Sequence, residues 1–314
     1  MSYELRVTQH SEGRRQKAEG SNLPSPLSTQ KAEGSIVTPK SAIRNPQSAI
    51  HIVSMPGVPF EMKRMWEREV EPKLRALSAS VIVSRTLKTM GLGESRVEEV
   101  VKDLMIGSNP TLAPYAKSDG IHLRLTAKAG SREQAEELIG PLESAVRSRL
   151  GDAIYGVDDD TPQSVLGSML DRLGYTLVVL EIGDGAPGAV SSLIGAHSLC
   201  LGAFGGRDIA VVARNVGYPS DDNGDPTLSQ LALATRREVG ADVAVAVSVA
   251  LEPRGDNGNV VKFQVEVVVS VGMGEQEEEP TVHKWRVARS EVSRLVGLAA
   301  LNQLRQRLLI RAKV

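Results

Sequence analysis

Between 121 and 127 the chain reads Ile-His-Leu-Arg-Leu-Thr-Ala, with apolar residues at every second position and His122, Arg124 and Thr126 between them. A period of two is that of a strand with one buried face. Ser131 then precedes a run to about Leu150 in which Ala135, Leu138, Leu142, Ala145, Val146 and Leu150 recur at helical spacing. That run predicts a long amphipathic helix capped by the serine hydroxyl. Upstream, 81–90 predicts a strand that ends in a turn at Gly91 and Gly93, and Glu94 and Ser95 open a helix to about Leu104. The stretch 108–116 is broken by prolines and reads as an edge strand. A short closing strand at 152–156 completes the order β-α-β-β-α-β, which suits a small split α/β sandwich over 81–157.

Residues 158–314 carry a second set of periods. Thr161 and Pro162 predict the N-cap and first residue of a helix reaching Leu173. Strands are predicted at 176–182, 199–204, 208–213, 242–250, 260–270 and 282–288. Helices are predicted from about Ala189, at 227–239 and at 290–311. The acidic run at 274–280 lies between two of these strands. It reads as a solvated hairpin tip rather than a metal site, because adjacent like charges repel unless solvated.

The first fifty residues show no such period. QKAEGS occurs at 16–21 and again at 30–35, and SAI at 41–43 and 48–50. With 7 Lys/Arg and 4 Asp/Glu among prolines and serines, the stretch reads as a disordered leader or a misplaced start of translation, the alternative being a flexible basic arm. Residues 51–80 then give a strand end, an MPGVP turn and a helix over 60–77 with Met62, Met65, Trp66, Val70 and Leu74 apolar. Pro72 should kink that helix.

Composition narrows the function. The 37 Lys/Arg against 38 Asp/Glu exclude a whole-chain basic footprint for nucleic acid, and 3% aromatic residues leave little for base-stacking platforms. One cysteine, Cys200, excludes a disulfide framework and a cysteine zinc cluster. In a predicted strand it reads as a small core residue. The five histidines are scattered and none is spaced as a metal pair, so no metal and no cofactor are expected. No apolar run reaches ~18 residues, so no membrane partner is expected. The lack of a secretory signal and the single cysteine fit a reducing cytoplasm.

Long runs of this sequence resemble a known family. RTLKTMGLGESRVEEVVKDLM (85–105), SNPTLAPYAKSDGIHLRLTAKA (108–129) and LGDAIYGVDDDT (150–161) closely resemble the middle, KH-type domain of competence/damage-inducible CinA proteins. MPGVPFEMKRMWEREVEPKL (55–74) resembles the last segment of that family's molybdopterin-binding-like domain. Residues 158–314 resemble its C-terminal nicotinamide-nucleotide amidase domain more weakly. The resemblance implies an α/β protein: a leader at 1–50, a remnant of the first domain at 51–80, a KH-type domain at 81–157 and a three-layer α/β amidase-like domain at 158–314. It also implies a cytoplasmic homodimer and a pyridine nucleotide ligand. The metal and phosphate ligands of the family's first domain have no counterpart in 1–80, so its pyrophosphatase activity is not expected.

The amidase motifs depart from the family's. Where the family has Glu-Ser-Cys-Thr-Gly-Gly, this chain has Glu181, Ile182, Gly183, Asp184, Gly185 and Ala186, so Ile182 replaces the serine expected as nucleophile. In the next block Gly205 and Gly206 are kept, but Ala210 replaces the assisting tyrosine and Arg214 the lysine. Arginine stays protonated and is a poor base. In the third block Ser248 and Pro253 remain, while Val249 and Glu252 replace glycines. The catalytic set is therefore read as lost, with Glu181, Gly183, Gly185, Gly205, Gly206, Ser248 and Pro253 as a residual binding set. The expected function is that of a catalytically silent, nucleotide-binding-like or scaffold protein. One alternative is an amidase with a relocated nucleophile, for which Ser191, Ser192 and Ser248 are the candidates.

Two further motifs have competing readings. Residues 183–188 fit G-x-G-x-x-G between a strand and a helix, but Asp184 would face a pyrophosphate and Pro187 has no amide hydrogen to donate. The KH-type label suggests RNA, yet 81–157 has no G-x-x-G clamp, and 81–152 holds 10 Lys/Arg against 10 Asp/Glu. A connector and dimerisation role is preferred there, with RNA binding as the remaining alternative.

Overall fold

The computed structural model describes residues 8–10, 50–77, 80–219, 225–254, 262–274, 277 and 279–312. The chain divides into two compact units, 1–79 and 80–314. In the first, β1 (Thr8–His10) and β2 (Ile50–Ile52) form a short antiparallel pair, so part of the stretch read as leader is a strand. The rest of 1–49 lies outside the described residues. Helices α1 (Pro59–Met65) and α2 (Glu71–Leu77) are joined by a π-helical turn over Trp66–Val70. The irregularity falls just before Pro72, whose missing N–H breaks the regular hydrogen-bond ladder of an otherwise continuous helical run. Of the apolar positions, Val70 is buried, while Met62 and Trp66 are exposed.

The second unit begins with β3 (Val81–Thr89), α3 (Glu94–Val101), β4 (Thr111–Lys117), β5 (Gly120–Ala129), α4 (Arg132–Leu150) and β6 (Ile154–Val157). The predicted order β-α-β-β-α-β is present, as an antiparallel sheet ordered β4-β5-β3-β6. Ser131 caps α4 by accepting from the Gln134 amide at 3.3 Å. The buried stripe of α4 is Ala135, Ile139, Val146 and Leu150. Leu138, expected inward, is 39% exposed. The stripe advances from 135 to 139, which turns 138 to solvent. Asn109 ties the entry to β4 onto β5, donating to Lys128 O at 2.9 Å and accepting from the Lys128 amide at 2.8 Å.

Then follow α5 (Pro162–Leu173), β7 (Leu177–Gly183), α6 (Ser191–Ile194), β8 (Cys200–Gly206), α7 (Ile209–Asn215), α8 (Leu228–Val239), β9 (Val243–Arg254), β10 (Lys262–Gly272), β11 (Thr281–Ala288) and α9 (Arg289–Ala312). Thr161 and Ser164 form a reciprocal capping box at the start of α5, with Pro162 inside it. The expected strand at 208–213 is instead the helix α7, because the Asp208 carboxylate accepts from the Val211 amide at 2.8 Å and starts a helix. The helix expected from Ala189 shrinks to the single turn α6.

The five strands are ordered β11-β10-β9-β7-β8, with β7, β8 and β9 parallel. Side chains alternate between the two faces of this sheet. On one face, Val179, Val245, Val247 and Val267 pack with Leu170 of α5, Ala189 and Val190 just before α6, and Val296 and Leu304 of α9. On the other, Val178, Leu180, Ile182, Ala244 and Ala246 pack with Val212 of α7 and Leu231 of α8. The result is a three-layer α/β arrangement. The connection from β7 to β8 runs over the first face, and that from β8 to β9 over the second. The chain therefore reverses its winding between β7 and β9, the place where open α/β sheets bind ligands beyond the strand ends.

Candidate functional site

The site residues predicted from sequence gather at the carboxyl ends of β7 and β8 and midway along β9, but they do not form one cluster. Register places Gly206 of β8, Ile182 of β7, Ser248 of β9 and Val268 of β10 in one row. Glu181 lies one residue back, in a row with Gly205 and Val247, and points to the opposite face. The sheet itself separates the two groups.

On the α6 face, Glu181 is 3% exposed and takes four hydrogen bonds. Its Oε1 accepts from the Val190 amide at 2.6 Å and the Ser191 amide at 2.9 Å. Its Oε2 accepts from the Gly188 amide at 2.8 Å and the Ser191 hydroxyl at 2.8 Å. A loop that turns three backbone amides and a hydroxyl toward one point is an anion nest, and here the chain's own carboxylate fills it. Ser192 is exposed, with its amide on Gly188 O at 3.3 Å. Gly183 has φ +96, and a Cβ there would stand 2.1 Å from Val249 O, so the strand end admits only glycine. Gly185, also at positive φ, lies against Val292 of α9.

On the α7 face, Ile182 is 3% exposed and belongs to the core with Val212 and Leu231. Ala210 is half-buried in the first turn of α7, and Arg214 is exposed near its end. Ser248 is half-buried and lines a cleft of about 510 Å³ with Ile209, Thr227, Ser229 and Val268, walled by Glu277 and Glu279. Both glutamates lie in the acidic run, whose flanking strands β10 and β11 are antiparallel neighbours, as a hairpin tip requires. No lysine or arginine is among the described residues lining this cleft. Pro253 pairs with Phe263 five residues further along β9 and is exposed, so it lies away from Ser248.

The remaining chemistry lies elsewhere. Cys200 opens the edge strand β8, half-buried, with burial pushing its thiol pKa up. On β5, His122 Nε2 lies 2.8 Å from Asp119, whose other oxygen accepts from the Tyr155 hydroxyl at 2.6 Å. Burial pushes His122 down against the pull of Asp119. For Asp119, burial pushes up, but the Tyr155 hydrogen bond and His122 outweigh it and hold the carboxyl low. Among the described residues no group of three His, Cys, Asp or Glu could hold a metal ion, and no helix is long and apolar enough to cross a membrane.

A residue not singled out from sequence stands apart. Arg305 of α9 is 4% exposed. Its Nη2 donates to Asp152 O and to Asn302 Oδ1, while its Nε is buried with no hydrogen-bond partner. The sequence did carry a signal, because position 305 lies inside the apolar stripe of Leu301, Leu304 and Leu308.

Together these features define a KH-type α/β sandwich followed by an open, doubly wound α/β domain whose candidate site residues are divided between the two faces of its sheet. The family model of the damage-inducible protein CinA KH domain matches residues 84–156. A CinA-like protein of Parasynechococcus marenigrum (strain WH8102) is 35% identical over 299 residues, covering 91% of this chain and 68% of that protein. A CinA-like protein of Thermomicrobium roseum is 37% identical over 259 residues, covering 82% and 61%. The chain belongs to the CinA-like family, and it spans about two thirds of the length of these relatives. Among solved structures it is similar to a competence or damage-inducible protein of Enterobacter asburiae, at 17% identity and a TM-score of 0.36 over 48% of this chain and 99% of that one.

Proposed function

We propose that this chain is a CinA-like protein that keeps an amidase-like fold without amide hydrolysis and acts as a binding or scaffold module. The observation that carries the reading is the saturation of Glu181. A serine nucleophile needs a base with a free lone pair and nearby donors for the oxyanion. Ser191 donates to Glu181 as a nucleophile would to its base, but the same carboxylate also takes the Gly188, Val190 and Ser191 amides. The amides that could steady an oxyanion are the ones held by the carboxylate. Ser248 lies on the other face of the sheet, and among the described residues its cleft offers the carboxylates of Glu277 and Glu279 and no lysine, arginine or histidine to steady an oxyanion.

The same lining argues against a nucleotide phosphate held at Ser248, since Glu277 and Glu279 would repel it. It favours a neutral or cationic ligand there. The KH-type domain serves in this reading as a connector. Its charge is balanced, and its Gly91 turn packs against Asn302 of α9.

The test is ammonia release from nicotinamide mononucleotide by the purified full chain. The expected result is no release above a protein-free blank. Turnover that disappears in Ser191→Ala or Ser248→Ala would establish the relocated-nucleophile reading instead.

A further inference from the structure

A cavity of about 410 Å³ opens where β6, α5 and the end of α9 meet. Arg147, Arg172 and Arg305 line it, with the hydroxyl residues Ser164 and Ser168 on α5. It is separate from the Ser248 cleft and shares no lining residue with it.

The charges are not all equivalent. Arg147 is held by Glu143 at 2.8 Å. Asp160 accepts from the Val157 amide at 2.8 Å. Ser164 is engaged in the capping box of α5. Asp152 also lines the cavity: its main-chain carbonyl accepts from Arg305, and its carboxylate stands near enough to offset part of the Arg305 charge. That leaves Arg172, exposed at the rim, Ser168, also exposed, and Arg305, almost wholly buried. A guanidinium presents five donors in a planar fork suited to oxyanions, and burying one with a donor unmet is costly. The Arg305 Nε is such a donor. Val165, Met169 and Leu309 supply an apolar wall beside these cations.

We infer that this cavity is a binding site for a small organic oxyanion, a phosphate monoester or a carboxylate. Its anionic group meets Arg305, Arg172 and Ser168, and its apolar body lies on Val165, Met169 and Leu309. Bare inorganic phosphate would leave most of the volume empty and the apolar wall uncovered. A ligand here would bridge the last strand of the KH-type domain and two helices of the following domain. It would thereby stiffen their junction. The inference does not depend on whether amide hydrolysis survives.

The probes are phenyl phosphate, benzoate and the neutral benzamide, titrated calorimetrically into the full chain at neutral pH. At least one anion is expected to bind with a Kd below about 1 mM, more weakly as salt rises, and benzamide is expected not to bind. The preferred anion identifies the head group. Arg172→Gln, at an exposed position, should weaken binding about tenfold without affecting the fold. Arg305→Met should abolish it, and circular dichroism separates lost binding from lost structure. Amide shifts in NMR should map to Ser164, Ser168 and their neighbours. The inference is overturned if neither anion binds, if benzamide binds as well as the anions, if Arg172→Gln leaves affinity unchanged, or if the shifts map to the Ser248 cleft.

Discussion

The β7–α6 loop and the joint between β6, α5 and α9 each hold one buried charge, and the two charges are treated oppositely. Glu181 is 3% exposed and Arg305 is 4% exposed. Around Glu181 the backbone folds back to deliver three amides and a hydroxyl, closing the space an anion would need. Around Arg305 the protein supplies two acceptors to one nitrogen, leaves another without a partner and keeps a cavity open beside it. Burial alone therefore does not mark a functional charge. What separates the two is whether the fold has already met the group's hydrogen-bonding capacity.

The largest effect that would break this comparison is expected at Glu181. Glu181→Ala strands three backbone amides and the Ser191 hydroxyl in a buried loop. It should destabilise the domain by about 4 kcal/mol, read as a lower urea midpoint with an unchanged slope. A loss below about 1 kcal/mol would mean that water replaces the carboxylate readily, and the nest would then be open to an outside anion.

Arg305→Met is the matching change on the other side. It removes two hydrogen bonds but also the cost of a buried charge whose Nε is unmet. The expected loss is smaller, about 1 to 2 kcal/mol. A loss as large as that of Glu181→Ala would show that Arg305 is chiefly a structural tie, and the contrast between the two regions would fail.

The sequence revealed these two regions unequally. Capping pairs and strict periods were legible: Thr161 with Pro162, Ser131, the alternation of 121–127 and the paired strands around the acidic run all correspond to formed elements. The run 208–213 reads as a strand but forms a helix, because the five small and β-branched residues after Asp208 suit either equally and the Asp208 cap decides between them. In α4 the inward face was displaced by one position at Leu138, since a stripe read from apolar residues alone does not fix which of two adjacent ones turns out. That Ile182 offers no atom able to attack an amide needed only the residue identity. The division of Glu181 and Ile182 between two faces also follows from the period of two. The saturation of Glu181 does not, because it depends on how residues 184–190 fold. Arg305 was visible as a cation among leucines, but its cavity exists only because β6 and α5 are brought to α9.

Ser191→Ala sharpens the comparison from within the first region. It removes one of the four donors to Glu181 and keeps the three amides. The expected loss is about 1 kcal/mol, with no change in ammonia release from nicotinamide mononucleotide. A loss comparable to that of Glu181→Ala would place the stability of the nest on the hydroxyl rather than on the backbone.

The smallest expected effect concerns pH, and it tests whether other buried groups follow the same rule. Burial pushes His283 down, and its Nε2 is buried without a hydrogen-bond partner while its ring stacks on Trp285 at 5.4 Å. His122 is also pushed down by burial, although Asp119 opposes the shift. Both are held below the unfolded value of 6.5. As pH falls through 6.5, the unfolded chain takes up protons that the folded chain refuses, so stability must decline with falling pH. Asp119 acts in a lower window. Its carboxyl is held below the unfolded value of 3.8, so its contribution is present above that value and is lost as pH falls through the folded one. Urea titrations of the full chain from pH 8 to about pH 5 should therefore show a shallow decline. His283→Asn should flatten that decline more than His122→Asn, because only His122 has a carboxylate that welcomes its proton. Equal flattening by the two variants would show that Asp119 gives the His122 imidazolium no support.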